Sequence, residues 1–475
     1  MATIALTAEL VARATTGRLL AGAPATTFTS VSIDSRTIEP GALFVAIRGE
    51  RVDGHAFVRT AFERGAAGAL VSHNDSGHAF PESIAGAVPG AIVLVSDTIA
   101  ALQHLGREVR RQSGARVIAI TGSAGKTSTK ELIADVLSAK YRVYRNRGNL
   151  NNHIGLPLSL TGLAGGPDVA VVELGMNHAG EIRTLVGLAE PDVRVWTNVG
   201  DAHIGHFGSR EMVARAKAEI LEAAASSTVA IVNADDPLLT AHVQNFPGRL
   251  VTFGFDPAAT VRATGVTDRG FDGTTVDIRA AGRTLMMIET HLPGRAHLMN
   301  VLAAVAAGLE FGVAPADLAA RVSAARAVAR RGADVRLGNG ARVIDDSYNA
   351  SPAATSAMLQ ALSVTEAQGR RIAILGEMLE LGQSSLALHE ACGRQAALSG
   401  VDVLVAVGGP AADGLVAGAV AAGLPEDRTR RYADATTAAS EVPALIEAGD
   451  LVLVKGSRGT RMDLVVDRLA ADGTR

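Results

Sequence analysis

The stretch 120–131, ITGSAGKTSTKE, contains residue types that could hold the phosphate groups of a nucleotide. Glycines would let the backbone approach an anion closely, Lys126 would add a compact positive charge, and Thr127 would offer a hydroxyl to Mg²⁺. The loop is shorter than the common G-x-x-x-x-G-K-[ST] form, so a glycine turn that only caps a helix is the alternative. The loop residues that we predict to bind ATP are Gly122, Ser123, Ala124, Gly125, Lys126, Thr127 and Ser128.

Lysine is rare in this chain, which makes each lysine a candidate for chemistry. Of the 45 Lys and Arg residues only five are lysines, so arginine is the usual cation. An arginine cannot lose its proton in a protein and cannot replace a compact ammonium. We expect Lys140 to be a chance retention, and chance remains the alternative for any single one of the others. The five are Lys126, Lys130, Lys140, Lys217 and Lys455.

Composition limits the classes of protein to which this chain can belong. With 475 residues, 48% of them hydrophobic and 20% charged, it is long enough for several domains with large cores. Its net charge of -3 gives no support for a general nucleic-acid or membrane-surface binder. The single cysteine, Cys392, excludes an internal disulfide, suits a reducing cytoplasm and predicts a packing role in a helix. We predict that 1–20 forms an amphipathic helix and not a signal peptide.

The apolar runs predict an α/β protein of three domains. Residues 1–105 mix short strands and helices, 106–330 repeat strand–helix units around a mostly parallel sheet, and 331–475 form a Rossmann-like α/β domain. Residues 259–292 alternate in polarity, which predicts a small antiparallel piece. The strands expected to be buried and parallel are 116–121, 168–174, 193–199, 228–234, 341–346, 371–376, 401–408 and 450–456.

The shortened loop resembles the G-x-x-G-K-[ST] loop of the Mur ligases and folylpolyglutamate synthetases, ATP-dependent enzymes that form amide bonds. The resemblance implies a carboxylate for Mg²⁺ at the end of the next strand, and VVELGMNHAGEI places Glu173 there. It also implies a histidine near a second Mg²⁺, and TNVGDAHIGHFGS offers His203, with His206 as the alternative. The residues expected to hold metal are therefore Thr127, Glu173 and His203.

Other positions carry roles that only the resemblance implies. Lys217, in REMVARAKAEILEAA, matches a lysine that the family carbamylates with CO₂; the alternative is a solvated helix lysine. An arginine that reaches the phosphate from the third domain would be Arg331 or Arg330, with preference for Arg331. Asn300 and Asn349 would contact ATP, with a place in the helix HLMNVLAA and no ligand contact as the alternative for Asn300. The catalytic set so implied is Lys126, His203, Lys217 and Arg331.

Further stretches resemble the family member that joins D-Ala-D-Ala to a UDP-N-acetylmuramoyl-tripeptide in peptidoglycan synthesis. RGNLNNHIGLPLSL (147–160), DDSYNASPAAT (345–355), LGEMLELG (375–382) and KGSRGTRMD (455–463) are similar to its motifs, with Ser351 and Asp463 as departures. The first domain, SIDSRTIEPGALFVAIRGERVDGHAF (32–57), looks like the UDP-sugar domain, although turn chemistry explains several of its residues as well. Predicted substrate contacts are Asp34, Ser35, Arg36, Asp53, His55, Asn151 and Asn152.

The resemblance implies a reaction through an acyl phosphate, in a monomer whose third domain closes on ATP. The third residue of the tripeptide, meso-diaminopimelate or lysine, and the base for the incoming amine stay open. The alternatives are a folylpolyglutamate-synthase-like ligase of the same family and a nucleotide-dependent switch without ligase chemistry.

Overall fold

The structure, a computed structural model, describes residues 3–73 and 88–472. It divides into two compact units, which are described here one at a time. The first unit comprises Met1–Ile120 and Lys140–Arg194, and the second comprises Thr121–Ala139 and Val195–Arg475.

The N-terminal part of the first unit is a small mixed α/β fold around a five-stranded sheet. Its strands are parallel except for the first in sheet order, which is antiparallel to its neighbour. A separate antiparallel pair joins Leu6–Thr7 to Thr27–Phe28. In sheet order the five strands are Arg18–Ala21, Ala91–Val95, Gly68–Ser72, Leu43–Val45 and Val31–Ser32.

The predicted N-terminal helix is wrong in extent. Met1 and Ala2 lie outside the described residues, and the helix covers only Ala8–Ala14. Thr7 caps the start of this helix, because its side chain accepts a hydrogen bond from the Leu10 N–H. Apolar residues on either side pair as strands instead, because neighbouring chain segments complete their backbone hydrogen bonds.

The remainder of the first unit is a set of parallel strands with helices around it. The strands lie in the order Arg116–Thr121, Val169–Glu173 and Val143–Arg145, with Glu173 as the last residue of the middle strand. Nearly every side chain in the first two is buried, as the continuous apolar runs predict. The remaining α-helices of the unit are Val58–Glu63, Thr98–Ser113, Gly155–Thr161 and Glu181–Ala189, with 3₁₀ turns at Gly54–Phe57 and Gly162–Gly165.

The second unit begins with the predicted phosphate loop and its helix, Lys126–Leu137, and continues with a sheet. Its parallel strands are followed by two antiparallel ones, which confirms the antiparallel piece predicted for 259–292. In sheet order these strands are Val193–Trp196, Val229–Asn233, Arg249–Gly254, Val261–Asp268, Thr274–Ala280 and Arg283–Thr290.

The C-terminal part of the second unit is a six-stranded Rossmann-like sheet, parallel except at one edge. Cys392 packs in its core and burial raises the pKa of its thiol to about 12, which fits the predicted packing role. The three-domain α/β fold class is thereby confirmed, whereas the domain boundaries stay a prediction. In sheet order the strands are Ala333–Arg336, Arg342–Asp346, Leu451–Lys455, Arg371–Gly376, Val403–Val407 and Thr429–Tyr432.

Helices cover the sheets of the second unit. After Lys126–Leu137 the α-helices are Ile204–Phe207, Arg210–Ala218, Pro237–Thr240, Gly294–Glu310, Pro315–Ala324, Pro352–Val364, Ser385–Leu398, Asp413–Ala421, Ala435–Glu441 and Asp463–Asp472. Short 3₁₀ turns are Glu219–Leu221, Gly270–Asp272, Gly382–Ser384, Pro410–Ala412, Glu426–Arg428, Val442–Leu445 and Arg458–Thr460. Within the described parts of both units, no helix is long and apolar enough to cross a membrane.

Arg110 holds together three segments of the first unit. Its guanidinium donates to the carbonyls of Ala189, Glu190 and Ala115 at 2.7, 2.7 and 3.1 Å. The same group lies 3.1 Å from the Asp192 carboxylate. The Arg110 side chain is only 11% exposed, so its hydrogen bonds to the carbonyls are largely shielded from water, whereas the Asp192 side chain is 46% exposed.

We therefore expect Arg110→Met to lower the free energy of unfolding by about 2–4 kcal/mol, since it removes the guanidinium that donates to three backbone carbonyls. Arg111→Met is the matched control, because its guanidinium is 53% exposed and pairs with Glu190 at the surface. Urea unfolding of both variants measures the difference. Equal stability of the two would contradict this role for Arg110.

Candidate active site

The glycine loop 122–125 precedes the helix Lys126–Leu137, and its backbone turns sharply into the first helical residue. Gly125 is left-handed, with φ of +79°, and its carbonyl accepts the Thr129 N–H at 2.8 Å. The Lys126 ammonium donates to the Gly122 carbonyl at 2.8 Å, and the Thr127 side chain is buried at the helix start. Helix N-termini of this kind bind phosphate through free backbone N–H groups and the helix dipole.

The end of a neighbouring strand fixes the shape of the loop. The Asn198 amide oxygen accepts the Ala124 N–H at 2.9 Å, and its amide nitrogen donates to the Ala124 carbonyl at 3.1 Å. The Thr197 hydroxyl donates to that same carbonyl at 2.8 Å, and the Ser123 N–H donates to the Asn198 carbonyl at 3.0 Å. Sequence reasoning missed this bracing role, for which the only signal was an asparagine at the end of the strand before His203.

The loop glycines leave no room for a side chain. A Cβ on Gly122 would lie 1.9 Å from the Thr197 hydroxyl, and one on Gly125 would lie 2.4 Å from the Asn300 amide oxygen. That amide oxygen also accepts a hydrogen bond from the Thr129 hydroxyl at 3.1 Å, and Asn300 is buried. Asn300 therefore packs close to Gly125 and holds the first turn of the helix that follows the loop; its predicted contact with ATP stays a prediction.

His203 lies in a positively charged, largely buried setting. Its Nδ1 is 2.8 Å from a carboxylate oxygen of Glu380. Burial, together with the charges of Lys126 and Lys217, lowers the pKa of His203 to about 4, although Glu380 opposes the shift. The alternative histidine, His206, is exposed. The Glu380 carboxylate thus leaves Nε2 as the histidine nitrogen that can bind a ligand.

Lys217 is buried, which contradicts the alternative of a solvated helix lysine. It lies near the end of the helix Arg210–Ala218 and is 1% exposed. The loop that leads into this helix is anchored by Asp201, whose buried carboxylate pairs with Arg210 at 2.7 Å. Lys140, in contrast, is exposed, in keeping with chance retention.

In the first unit, two asparagines hold Glu173, whose carboxylate is predicted to bind Mg²⁺. Glu173 is 3% exposed, and the Asn151 amide nitrogen donates to its carboxylate at 2.7 Å. The Asn146 amide oxygen accepts the Glu173 N–H at 3.1 Å. Asn152 is exposed, and its amide oxygen accepts the N–H of Gly155 at 2.8 Å at the start of a helix. Asn151 therefore positions Glu173, a role that its predicted substrate contact did not include.

The first group of predicted sugar-nucleotide contacts forms a tight turn. The Arg36 side chain donates two hydrogen bonds to the Asp34 carboxylate, at 2.9 and 2.8 Å, and Ser35 between them is buried. These hydrogen bonds from Arg36 lower the pKa of Asp34 to about 2. The pair therefore stays ionised, with the Arg36 side chain exposed to solvent and ligands.

Asp53 and His55 join a 3₁₀ turn to a strand. The Asp53 carboxylate accepts the His55 N–H at 2.9 Å and lies 2.6 Å from Nδ1 of the ring. On its other side, Nε2 accepts the Ser72 N–H at 2.9 Å. This arrangement gives both side chains a structural role, and their contact with substrate stays a prediction.

The predicted third-domain residues gather at the carboxyl ends of adjacent strands. Arg331 stacks on the Tyr348 ring at 4.0 Å, whereas Arg330 pairs with Asp463 at 2.6 Å. The ammonium of Lys455 pairs with the Asp346 carboxylate and donates to the Asn349 carbonyl at 3.0 Å.

The donors present suit Mg²⁺ bound partly by phosphate and water. The described residues contain no cluster of three His, Cys, Asp or Glu side chains that could hold a metal on protein ligands alone. Each unit offers a hard oxygen donor of its own: the Thr127 hydroxyl in the second unit and, in the first, the Glu173 carboxylate, which Asn151 orients. Magnesium commonly takes one or two such protein ligands and completes its shell with substrate phosphates and water.

A braced glycine loop, a held carboxylate and a buried lysine on this fold define a nucleotide-binding protein of the phosphate-loop class. Three family profiles match the chain: the Mur ligase family catalytic domain at 27–134, the Mur ligase middle domain at 120–308, and the Mur ligase glutamate ligase domain at 330–458. The chain belongs to the Mur ligase family.

Relatives with the same printed name are similar to the chain along most of its length. The UDP-N-acetylmuramoyl-tripeptide–D-alanyl-D-alanine ligase of Bacillus subtilis is 36% identical, over 92% of this chain and 92% of that protein. Its Escherichia coli namesake is 35% identical, over 94% of this chain and 95% of that protein.

Solved structures agree in fold. MurF from Acinetobacter baumannii matches with a TM-score of 0.85 and 30% identity, over 99% of this chain and 100% of that one. MurF ligase from Thermotoga maritima, solved in complex with ADP, matches with a TM-score of 0.78 and 27% identity, over 94% and 98% of the two chains.

We expect Gly125→Ala to weaken ATP binding by roughly tenfold or more, because the added methyl strains a left-handed residue and collides with Asn300. Calorimetric titration with Mg·ATP measures the change. Gly187→Ala is the control, since a Cβ there meets no atom within 4 Å. Unchanged affinity in Gly125→Ala would show that the loop does not bind nucleotide in this form.

Proposed function

We propose that this chain uses ATP to join D-Ala-D-Ala to the terminal carboxylate of a UDP-N-acetylmuramoyl-tripeptide, in peptidoglycan precursor synthesis. The observation that carries the proposal is the braced short loop, in a chain that matches ligases of this name over more than nine-tenths of its length. The carboxylate attacks the γ-phosphorus of ATP, forming an acyl phosphate and releasing ADP. The dipeptide amine then attacks the carbonyl carbon, and phosphate leaves from the tetrahedral intermediate.

Catalysis of the first step requires that the protein neutralise the charge of the phosphates and position the carboxylate for attack. Repulsion between the carboxylate and the triphosphate opposes their approach, so nearby cations lower the barrier. Lys126 and the loop N–H groups would bind the β- and γ-phosphates. Arg331 is preferred over Arg330 for the phosphate because, among the described residues, no carboxylate neutralises it, whereas Arg330 pairs with Asp463. Asn300 and Asn349 are the remaining proposed ATP contacts.

Mg²⁺ would be held by Thr127 and Glu173, and a second ion by His203. When bound, the metal supplies positive charge that offsets the charge on the phosphates. Asn151 keeps the Glu173 carboxylate oriented, and Glu380 does the same for the His203 ring.

Carbamylation of Lys217 is part of the proposal, and the burial of this lysine supports it. Carbamate formation needs the neutral amine, and burial favours that form of a lysine. The product is an anion with oxygen donors, which would reverse the charge next to Lys126 and His203. Arginine could not be modified in this way.

Substrate binding and domain closure complete the proposal. Asp34, Ser35, Arg36, Asp53 and His55, in a domain of residues 1–105, would face the UDP-sugar, as would Asn151 and Asn152 of the following domain. The domain 106–330 would bind ATP, and closure of the domain 331–475 would bring Arg331, Asn349 and Lys455 to the nucleotide. We place the enzyme, as a monomer, in the bacterial cytoplasm, because its substrates are nucleotides and its only cysteine is a free thiol.

The direct test is phosphate release in a coupled assay with candidate UDP-muramoyl-tripeptides, containing meso-diaminopimelate or lysine, with and without D-Ala-D-Ala. We expect release that requires both the peptide and the dipeptide. Turnover with folate and glutamate instead would favour a folylpolyglutamate-synthase-like enzyme, and nucleotide hydrolysis without either substrate would favour a switch.

We expect Lys217→Ala to lower ligation by roughly 10²–10³-fold, because it removes an electrostatic group from the site of phosphoryl transfer. Added acetate or another small carboxylate should restore part of the activity, and mass spectrometry of the wild type should detect the carbamate in bicarbonate buffer. Lys140→Ala, at an exposed position, serves as the control. Full activity of Lys217→Ala would refute the assigned role.

A further inference from the structure

Two arginines approach one tyrosine at the carboxyl edge of the C-terminal sheet. Arg331 lies 4.0 Å and Arg458 lies 5.4 Å from the Tyr348 ring centroid. Arg458 also donates to the Tyr348 hydroxyl at 3.2 Å. Tyr348 follows the strand Arg342–Asp346 and Arg458 follows the parallel neighbouring strand Leu451–Lys455, so both lie where open α/β sheets bind ligands. We call these three residues the arginine–tyrosine cluster.

The positive charge of this cluster is unbalanced. Within the part of the chain that the structure describes, neither Arg331 nor Arg458 has a carboxylate at ion-pair distance, and Arg458 is exposed. The adjacent Arg330, by comparison, pairs with both Asp463 and Asp467. Guanidinium groups that share one ring repel each other, so an anion that reaches them lowers the electrostatic energy.

The backbone that carries Arg458 is held before any ligand arrives. The Ser457 hydroxyl accepts the Leu379 N–H at 2.9 Å, and the Ser457 N–H donates to the Glu377 carbonyl at 3.2 Å. The segment 377–379 to which Ser457 is hydrogen-bonded is itself held, because the buried His389 accepts the Met378 N–H at 2.8 Å. A guanidinium on a fixed backbone loses less entropy when it binds an anion.

We propose that Arg458, with the Tyr348 hydroxyl, binds the C-terminal carboxylate of the incoming D-Ala-D-Ala. This assignment rests on the proposed function. The amine of the dipeptide has to be free to attack the acyl phosphate, which leaves the carboxylate as its one charged group available for recognition. The planar guanidinium fork matches a carboxylate in geometry, and Arg331, on the same ring, remains for the phosphate.

The test compares D-Ala-D-Ala with its C-terminal amide in the wild type and in Arg458→Gln. We expect Arg458→Gln to raise the KM for D-Ala-D-Ala by roughly 10–100-fold, with kcat and the KM values for ATP and the UDP-peptide nearly unchanged. The wild type should prefer the acid over the amide by a similar factor, and Arg458→Gln should lose that preference. A structural role alone would not alter the preference between acid and amide.

Controls keep the outcomes distinct. Arg394→Gln, on the exposed face of the helix Ser385–Leu398, should behave as the wild type. Arg458→Lys keeps the charge without the fork and should retain part of the preference for the acid, which preserves the test if Arg458→Gln does not fold.

Two other results would overturn the assignment. Arg458→Gln with the acid preference of the wild type would refute it, and a rise confined to the KM for ATP would assign Arg458 to phosphate instead. A wild type that releases no phosphate on addition of D-Ala-D-Ala, while still binding ATP, would refute the proposed function and this assignment with it.

Discussion

The bracing of a short glycine loop by neighbouring side chains is the interaction on which the site depends. A loop this short has few internal hydrogen bonds, so its conformation is imposed from outside by Thr197 and Asn198, while Asn300 is hydrogen-bonded to the helix that follows. Those contacts in turn require that Gly122 and Gly125 lack side chains. Backbone N–H groups fixed in this way can bind phosphate without first being reorganised, which is the property that makes such sites effective.

Unbalanced positive charge is the second feature of the site. Burial, together with the charges of Lys126 and Lys217, lowers the pKa of His203, and among the described residues Arg331 has no carboxylate at ion-pair distance. Charges of like sign held together in a folded protein destabilise it, and anionic ligands relieve that cost when they bind. The same balance explains why Arg330 is a poor candidate for the phosphate, because Asp463 and Asp467 already neutralise it.

The sequence predicted buried elements well and side-chain partners poorly. The strand 371–376 was predicted with its observed bounds, because a continuous apolar run between polar turns has few other ways to bury itself. Glu173 was predicted at a strand end, but its hydrogen bond from Asn151 was not. His203 was predicted as a site residue, but its contact with Glu380 was not. Those partners are 22 and 177 positions apart in the chain, and only the tertiary fold brings them together. The N-terminal helix failed for the same reason, since strand pairing with distant segments replaced its ends.

The distribution of lysine follows from how many donors a buried cation has to satisfy. Lys130, Lys217 and Lys455 are 0%, 1% and 3% exposed, and Lys126 folds over its own loop. An ammonium needs three acceptors around a compact charge, whereas a guanidinium presents five N–H donors in a rigid plane. In an enclosed pocket that has to admit phosphate, the smaller group leaves fewer donors unsatisfied, and it can give up its proton. A chain that otherwise prefers arginine therefore retains lysine at enclosed positions, whereas the exposed Lys140 is under no such constraint.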